Sequence, residues 1–256
     1  MISLPTPKLG EVTAITITTP DLELSAAFYK KLGFQELFRS DFPFPLIQIS
    51  DGALLMMLRQ DKKPYIALTY YSKEIERVVD ELKKEMINVQ EMPTPNNMVR
   101  RYLFQSPDGL TISIVSFVDG FTQPPGPTML TMPQEDYMKP EKYVNKTCGM
   151  FGEFAHPVKN LDASVSFWEK LGFKTLSKFS SPYPWAIASD GLAVVGLHQT
   201  NHFEHPAITY FAKDMQDKIA ALREQGITEI TDTKANSNIT LKSPEGQHIN
   251  LFKLGM

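Results

Sequence analysis

The chain has 256 residues, 42% of them hydrophobic, which is enough to bury a sizeable core and by length suits two domains better than one. Lys plus Arg number 13 against 14 Asp plus Glu in residues 1–118, and 10 against 11 in residues 153–256, so neither half offers the basic face that nucleic acid or an anionic membrane would require. The single cysteine, Cys148, allows no intrachain disulfide and no cysteine metal cluster, and no signal-like leader or membrane-length apolar run is seen, so the cytoplasm is the expected compartment.

Taken in chain order, the β-branched run VTAITIT (12–18) ends at Pro20, and Asp21 suits the N-cap of a helix carrying Leu24, Phe28 and Leu32 at helical spacing. Gly33 closes that helix. Short apolar runs follow near 34–39, 46–50 and 53–58, the last two parted by an Asp-Gly turn at 51–52. This is one βαβββ module. The pattern then restarts with IALTYY (66–71), a helix bearing Ile75, Val78, Val79 and Leu82, and strands near 88–92, 101–105 and 110–117, with a second Asp-Gly turn at 108–109.

Residues 119–146 carry five prolines and no sustained period, so they read as a linker, either a packed strap holding Phe121, Met129, Leu130 and Tyr137 or a free tether. The first half then repeats. DLELSAAFYKKLGF (21–34) matches NLDASVSFWEKLGF (160–173), LTYYSKEIERVVDEL (68–82) matches ITYFAKDMQDKIAAL (208–222), and SPDGLTISI (106–114) matches SPEGQHINL (243–251). The expected fold is therefore α+β: four βαβββ modules forming two tandem domains, 1–118 and 153–256, joined by the Pro-rich segment 119–152.

A helix reading D-L-x-x-S-x-x-F-Y-x-x-x-L-G-F after a short strand, with S-P-D-G before a later apolar strand, resembles the glyoxalase, bleomycin-resistance and extradiol-dioxygenase group, the vicinal-oxygen-chelate superfamily. The resemblance implies curled, incompletely closed mixed sheets with helices outside and a small-molecule cavity in each. It also implies a divalent metal in enzymatic members, held by His and Glu from the first, fourth, fifth and eighth strands. Carried over, those positions fall on Ala14, Met57, Tyr65 and Ser113 in the first domain, a set without a strong metal ligand, so no metal is expected there. In that cavity Thr16, Thr18, Arg59, Tyr65 and Arg101 are candidate contacts for a polar or anionic ligand, the plain alternative being strand threonines and solvated rim charges.

In the second domain the same positions give Glu153, Gly196, His205 and Asn250, with His198 two residues beyond Gly196 and His248 two before Asn250. Glu153, His205, His198, His248 and Asn250 form the candidate metal set for Fe, Zn, Ni or Mn, and Glu153 and His205 are the candidate catalytic pair. Glu153 stands where the family uses His, and Asn250 where it uses a carboxylate. The loop HQTNHFEHP (198–206) also reads as a solvated connection, His156 as a satisfied core or edge histidine, and Cys148 as no nucleophile. Two functions follow from the resemblance: metal-assisted chemistry of a glyoxalase or dioxygenase kind on a small oxygenated molecule, or metal-free binding as in bleomycin-resistance proteins. For the second, Phe42, Phe44, Tyr183, Trp185, Tyr210 and Phe211 are candidate cavity aromatics. A small molecule is the expected partner, and the chain is expected as a monomer or homodimer.

Overall fold

The structure is a computed structural model of the chain and describes residues 3–42, 44–94, 99–116, 121–228 and 238–255. The first module runs β1 (Val12–Thr19), α1 (Leu22–Lys31), β2 (Gln35–Ser40), β3 (Leu46–Ser50) and β4 (Leu55–Gln60), and the second β5 (Ile66–Ser72), α2 (Ile75–Lys84), β6 (Gln90–Met92), β7 (Arg101–Gln105) and β8 (Thr111–Ser116). Their strands share one mixed sheet in the order β2-β3-β4-β1-β5-β8-β7-β6. The repeat gives β9 (Met150–Pro157), α3 (Leu161–Lys170), β10 (Lys174–Phe179), β11 (Trp185–Ser189), β12 (Val194–His198), β13 (Ala207–Ala212), α4 (Met215–Glu224), β14 (Asn238–Lys242) and β15 (His248–Lys253). The second sheet follows the same order, β10-β11-β12-β9-β13-β15-β14, and the place of a β6 counterpart falls outside the described residues.

The two domains make the α+β tandem architecture that the repeat implies, with one difference in α1. Asp21 does cap the helix, accepting from the Leu24 amide, but Leu24 is exposed and the buried face is Leu22, Ser25, Tyr29 and then Leu32. The polar Ser25 hides this stripe in the sequence. Its hydroxyl is buried because it bonds Thr19 and Glu245, the latter at 2.7 Å on the other domain.

That contact belongs to a nearly two-fold set of polar links between the domains. Tyr70 donates to Asp190 at 2.7 Å and Tyr210 to Asp51 at 2.5 Å, while Tyr29 donates to Glu245 at 2.6 Å and Ser164 to Asp108. Asp51 and Asp190 each also accept two amides of their own turns, so one carboxylate both shapes a hairpin and joins the domains. The segment between the domains is packed as a strap: Tyr143 is fully buried, and Gln123 accepts from the Thr13 amide.

Strand register places one row of side chains on each inner sheet face. In the first domain the partners Thr16–Met57, Thr18–Arg59, Ala14–Thr69, Thr69–Ser113 and Arg101–Val115 put all these residues on the same side. In the second, the partners Glu153–Thr209, Thr209–Asn250, Ala155–Gly196, His198–Trp185 and Ala207–His248 do the same. Glu153, His198, His248 and Asn250 thus share a face; which of them meet depends on their level along the strands.

Candidate functional site

On the inner face of the second sheet, Glu153 of β9 and His198 of β12 meet through Oε1 and Nε2 at 2.9 Å, both nearly buried. Parallel register sets Gly196 beside Ala155 and His198 beside Pro157, so the Glu153 chain must reach diagonally across Gly196. Any side chain there would stop it: a Cβ at Gly196 would overlap Glu153 Oε2 and lie 2.7 Å from His198 Nε2. The backbone at Gly196 is not left-handed, so glycine serves here to provide space.

The imidazole is fixed from its other side by the Tyr183 hydroxyl, 3.3 Å from His198 Nδ1. Burial first and then the Glu153 charge raise the Tyr183 pKa, so the phenol keeps its proton. In the tautomer that carries its proton on Nε2, His198 donates to Glu153 while Nδ1 accepts from the Tyr183 hydroxyl. Trp185 lies parallel to the His198 ring with centroids 5.7 Å apart and is itself stacked on Phe179, while Phe203 meets His198 edge-on at 5.6 Å. Glu153 Oε2 is buried and has no hydrogen-bond partner among the described residues. A buried carboxylate oxygen left open beside aromatic walls is a hydrogen-bond acceptor awaiting a donor.

The other residues predicted for this site do not complete it. His205 and His248 meet each other edge-on at 5.9 Å, and burial, then the neighbouring His205 and Lys242 charges, pull the His248 pKa down. Asn250 is engaged with Thr209 at 3.3 Å and Thr240 at 2.8 Å. Among the described residues no three His, Cys, Asp or Glu side chains come together as a metal-binding group. Of the expected set Glu153, His205, His198, His248 and Asn250, the structure pairs Glu153 with His198 and His205 with His248, and engages Asn250 with threonines. His248 lies one two-residue step along β15 from the level of Glu153, and the Glu153 carboxylate is directed away toward His198. Among the described residues the Glu153 carboxylate is thus paired with His198 alone, while His205 faces His248. Tyr210, expected as a ligand contact, is fully buried at the domain junction, where its hydroxyl bonds Asp51.

In the first domain the inner face holds Arg59, Tyr65 and Arg101 together. Arg101 donates to the Tyr65 hydroxyl at 2.8 Å, and the two guanidiniums lie 5.5 and 5.2 Å from the Tyr65 ring centre. Arg59 also lies over Phe44, whereas Phe42 is exposed. Strands β4 and β7 are four places apart, about 19 Å in a flat sheet, so both arginines reaching one tyrosine shows how strongly the sheet curls.

Three further features lie elsewhere. A cavity of about 380 Å³ lies under the strap between the domains, lined in part by Gln123, Pro125, Ala53 and Leu192, and is apart from both inner-face sites. His156 alternates to the outer face and is buried, but neither ring nitrogen has a partner among the described residues, so it is a core histidine without the expected satisfaction. Burial lowers its pKa to about 4, opposed by the nearby Asp108. Cys148 is buried against the Leu32 carbonyl, and burial raises its thiol pKa.

Residues 11–114 match the family model of the Glyoxalase/Bleomycin resistance protein/Dioxygenase superfamily. Among solved structures, the chain resembles homoprotocatechuate 2,3-dioxygenase from Arthrobacter globiformis, with 16% identity, a TM-score of 0.62, and coverage of 98% of this chain and 82% of that one. The 2,3-dioxygenase LapB from Pseudomonas sp. KL28 aligns at 14% identity and TM-score 0.61 over 98% and 94% of the two chains. An E323L mutant of homoprotocatechuate 2,3-dioxygenase from Brevibacterium fuscum gives 14% and 0.61 over 96% and 72%. At these identities the likeness establishes a shared fold. No curated protein sequence matches the chain.

Proposed function

We propose that the chain, whose residues 11–114 match the glyoxalase, bleomycin-resistance and dioxygenase superfamily model, binds a small, planar, oxygen-bearing organic molecule on the inner face of its C-terminal sheet without using a metal. The observation that carries this reading is the open Glu153 Oε2 beside the Glu153–His198 pair. A ligand hydroxyl would donate to that oxygen, His198 would hold the carboxylate in place, and Trp185, Tyr183 and Phe203 would contact the ligand's apolar body. Glu153 is also the group positioned to accept the hydroxyl proton, with His198 orienting its carboxylate. A small molecule is thus the proposed partner, and the buried single thiol of Cys148 suits a reducing cytoplasm.

The metal-assisted alternative would need a third protein donor beside Glu153 and His198, which the described residues do not bring there. Catechol titration followed by tryptophan fluorescence separates the two. The proposal expects saturable binding that is equal in EDTA and in added Fe(II) or Mn(II), and at least tenfold weaker in Glu153→Gln. Binding that requires metal, or that is unchanged in Glu153→Gln, would overturn it.

A further inference from the structure

The second feature that calls for a ligand lies in the other domain. Arg59 and Arg101 both face the inner surface of the first sheet and stand either side of Tyr65. Arg59 has one carboxylate partner, the partly exposed Asp61 at 3.3 Å, and among the described residues Arg101 has none within ion-pair distance. Two cations held near each other and half withdrawn from water are costly unless an anion joins them. Consistent with that, burial and then the Arg101 charge pull the Arg59 guanidinium below its ordinary pKa.

Hydroxyls extend the same surface: Ser113 lies 3.4 Å from Arg101 Nε, and Thr16 and Thr69 share a buried hydrogen bond at 2.8 Å. One strand step further in, the face turns apolar with Ala14, Leu55, Met57 and Tyr71, all buried and closed at the end by Phe121 stacked on Tyr71 at 4.8 Å. A cationic, hydroxyl-lined rim over an apolar floor matches a ligand with an anionic head and a hydrophobic body. Guanidinium forks pair best with planar carboxylates, and the rings of Tyr65 and Phe44 already orient the Arg59 plane.

We propose that the inner face of the first sheet is a second binding site, at which Arg59, Arg101 and Tyr65 hold the carboxylate of a small apolar monocarboxylic acid. The site is independent of the Glu153–His198 pair, so either proposal can fail alone. Benzoate and inorganic phosphate are the probes, titrated calorimetrically into the full chain at low ionic strength. Benzoate should bind once per chain and more tightly than phosphate. Arg101→Gln and Arg59→Gln should each weaken it at least tenfold, Arg101→Lys at least threefold, and Tyr65→Phe severalfold by freeing Arg101. Arg101→Gln should keep the wild-type far-UV circular dichroism spectrum and a cooperative urea transition, which shows that this variant is folded. Should Arg101→Gln not fold, Arg59→Gln and Tyr65→Phe decide the matter. Absence of saturable benzoate binding, unchanged binding in the folded variants, or phosphate binding as tightly as benzoate would overturn the proposal.

Discussion

Gly196→Ala isolates the step that builds the second-domain site. In a strand interior this exchange normally stabilises by about 0.5–1 kcal/mol through reduced chain entropy, and the first-domain counterpart, Met57, shows that the strand position itself accepts a side chain. Here the added methyl would occupy the space of Glu153 Oε2 and crowd His198 Nε2. The carboxylate must then leave the imidazole, and breaking a nearly buried pair costs about 3–5 kcal/mol. The net expectation is destabilisation of about 2–4 kcal/mol, seen as a lower urea midpoint at unchanged slope, together with loss of catechol binding. A Gly196→Ala protein of wild-type stability that binds catechol normally would refute the reasoning that glycine is there to let the pair form.

Three other outcomes follow from the structure. His156 is held neutral in the fold, with a pKa of about 4 against an ordinary 6.5, so the unfolded chain binds more protons between those values and stability falls as pH drops from about 6.5 toward 4. The full effect is on the order of 3 kcal/mol, and His156→Leu should flatten that part of the urea-measured pH profile; an unchanged slope would contradict the assignment. Tyr210→Phe should cost about 1.5–3 kcal/mol by removing a donor from the buried Asp51 carboxylate, with a similar loss for Tyr70→Phe at Asp190, whereas an effect below about 0.5 kcal/mol would show the domain junction does not depend on these bonds. Cys148 should resist a thiol reagent in the native protein and react at once in denaturant; fast native labelling would contradict its burial.

The fold was readable because duplication is written in the sequence twice over, as a repeat at an offset near 139 and as two strand-helix-strand patterns within each half. The buried stripe of α2, Ile75, Val78, Val79 and Leu82, follows its apolar spacing directly. That of α1 did not, because Ser25 occupies a buried position for the sake of a hydrogen bond to the other domain. Tyr210 misled for the same reason. Its strand looked like a cavity wall, but a partner 159 residues away draws its hydroxyl to the domain junction.

For the site, alternation sets Glu153, His198, His248 and Asn250 on one face but carries no information on their level along the strands. The deciding residue was Gly196, which looked like a lost ligand and is instead the space through which Glu153 reaches His198. Phe203 was legible only as part of a His-rich loop. Its contact with His198 depends on how that loop folds back, which strand periodicity cannot give.

A crystal structure of the chain soaked with catechol in the presence of Mn(II) tests the central claim most directly. The account predicts a catechol hydroxyl within hydrogen-bond distance of Glu153 Oε2, the ring against Trp185, and the Glu153–His198 contact kept near 2.9 Å with no ion between them. A manganese ion held by Glu153 together with His205 or His248, with the catechol oxygens on the ion, would contradict it.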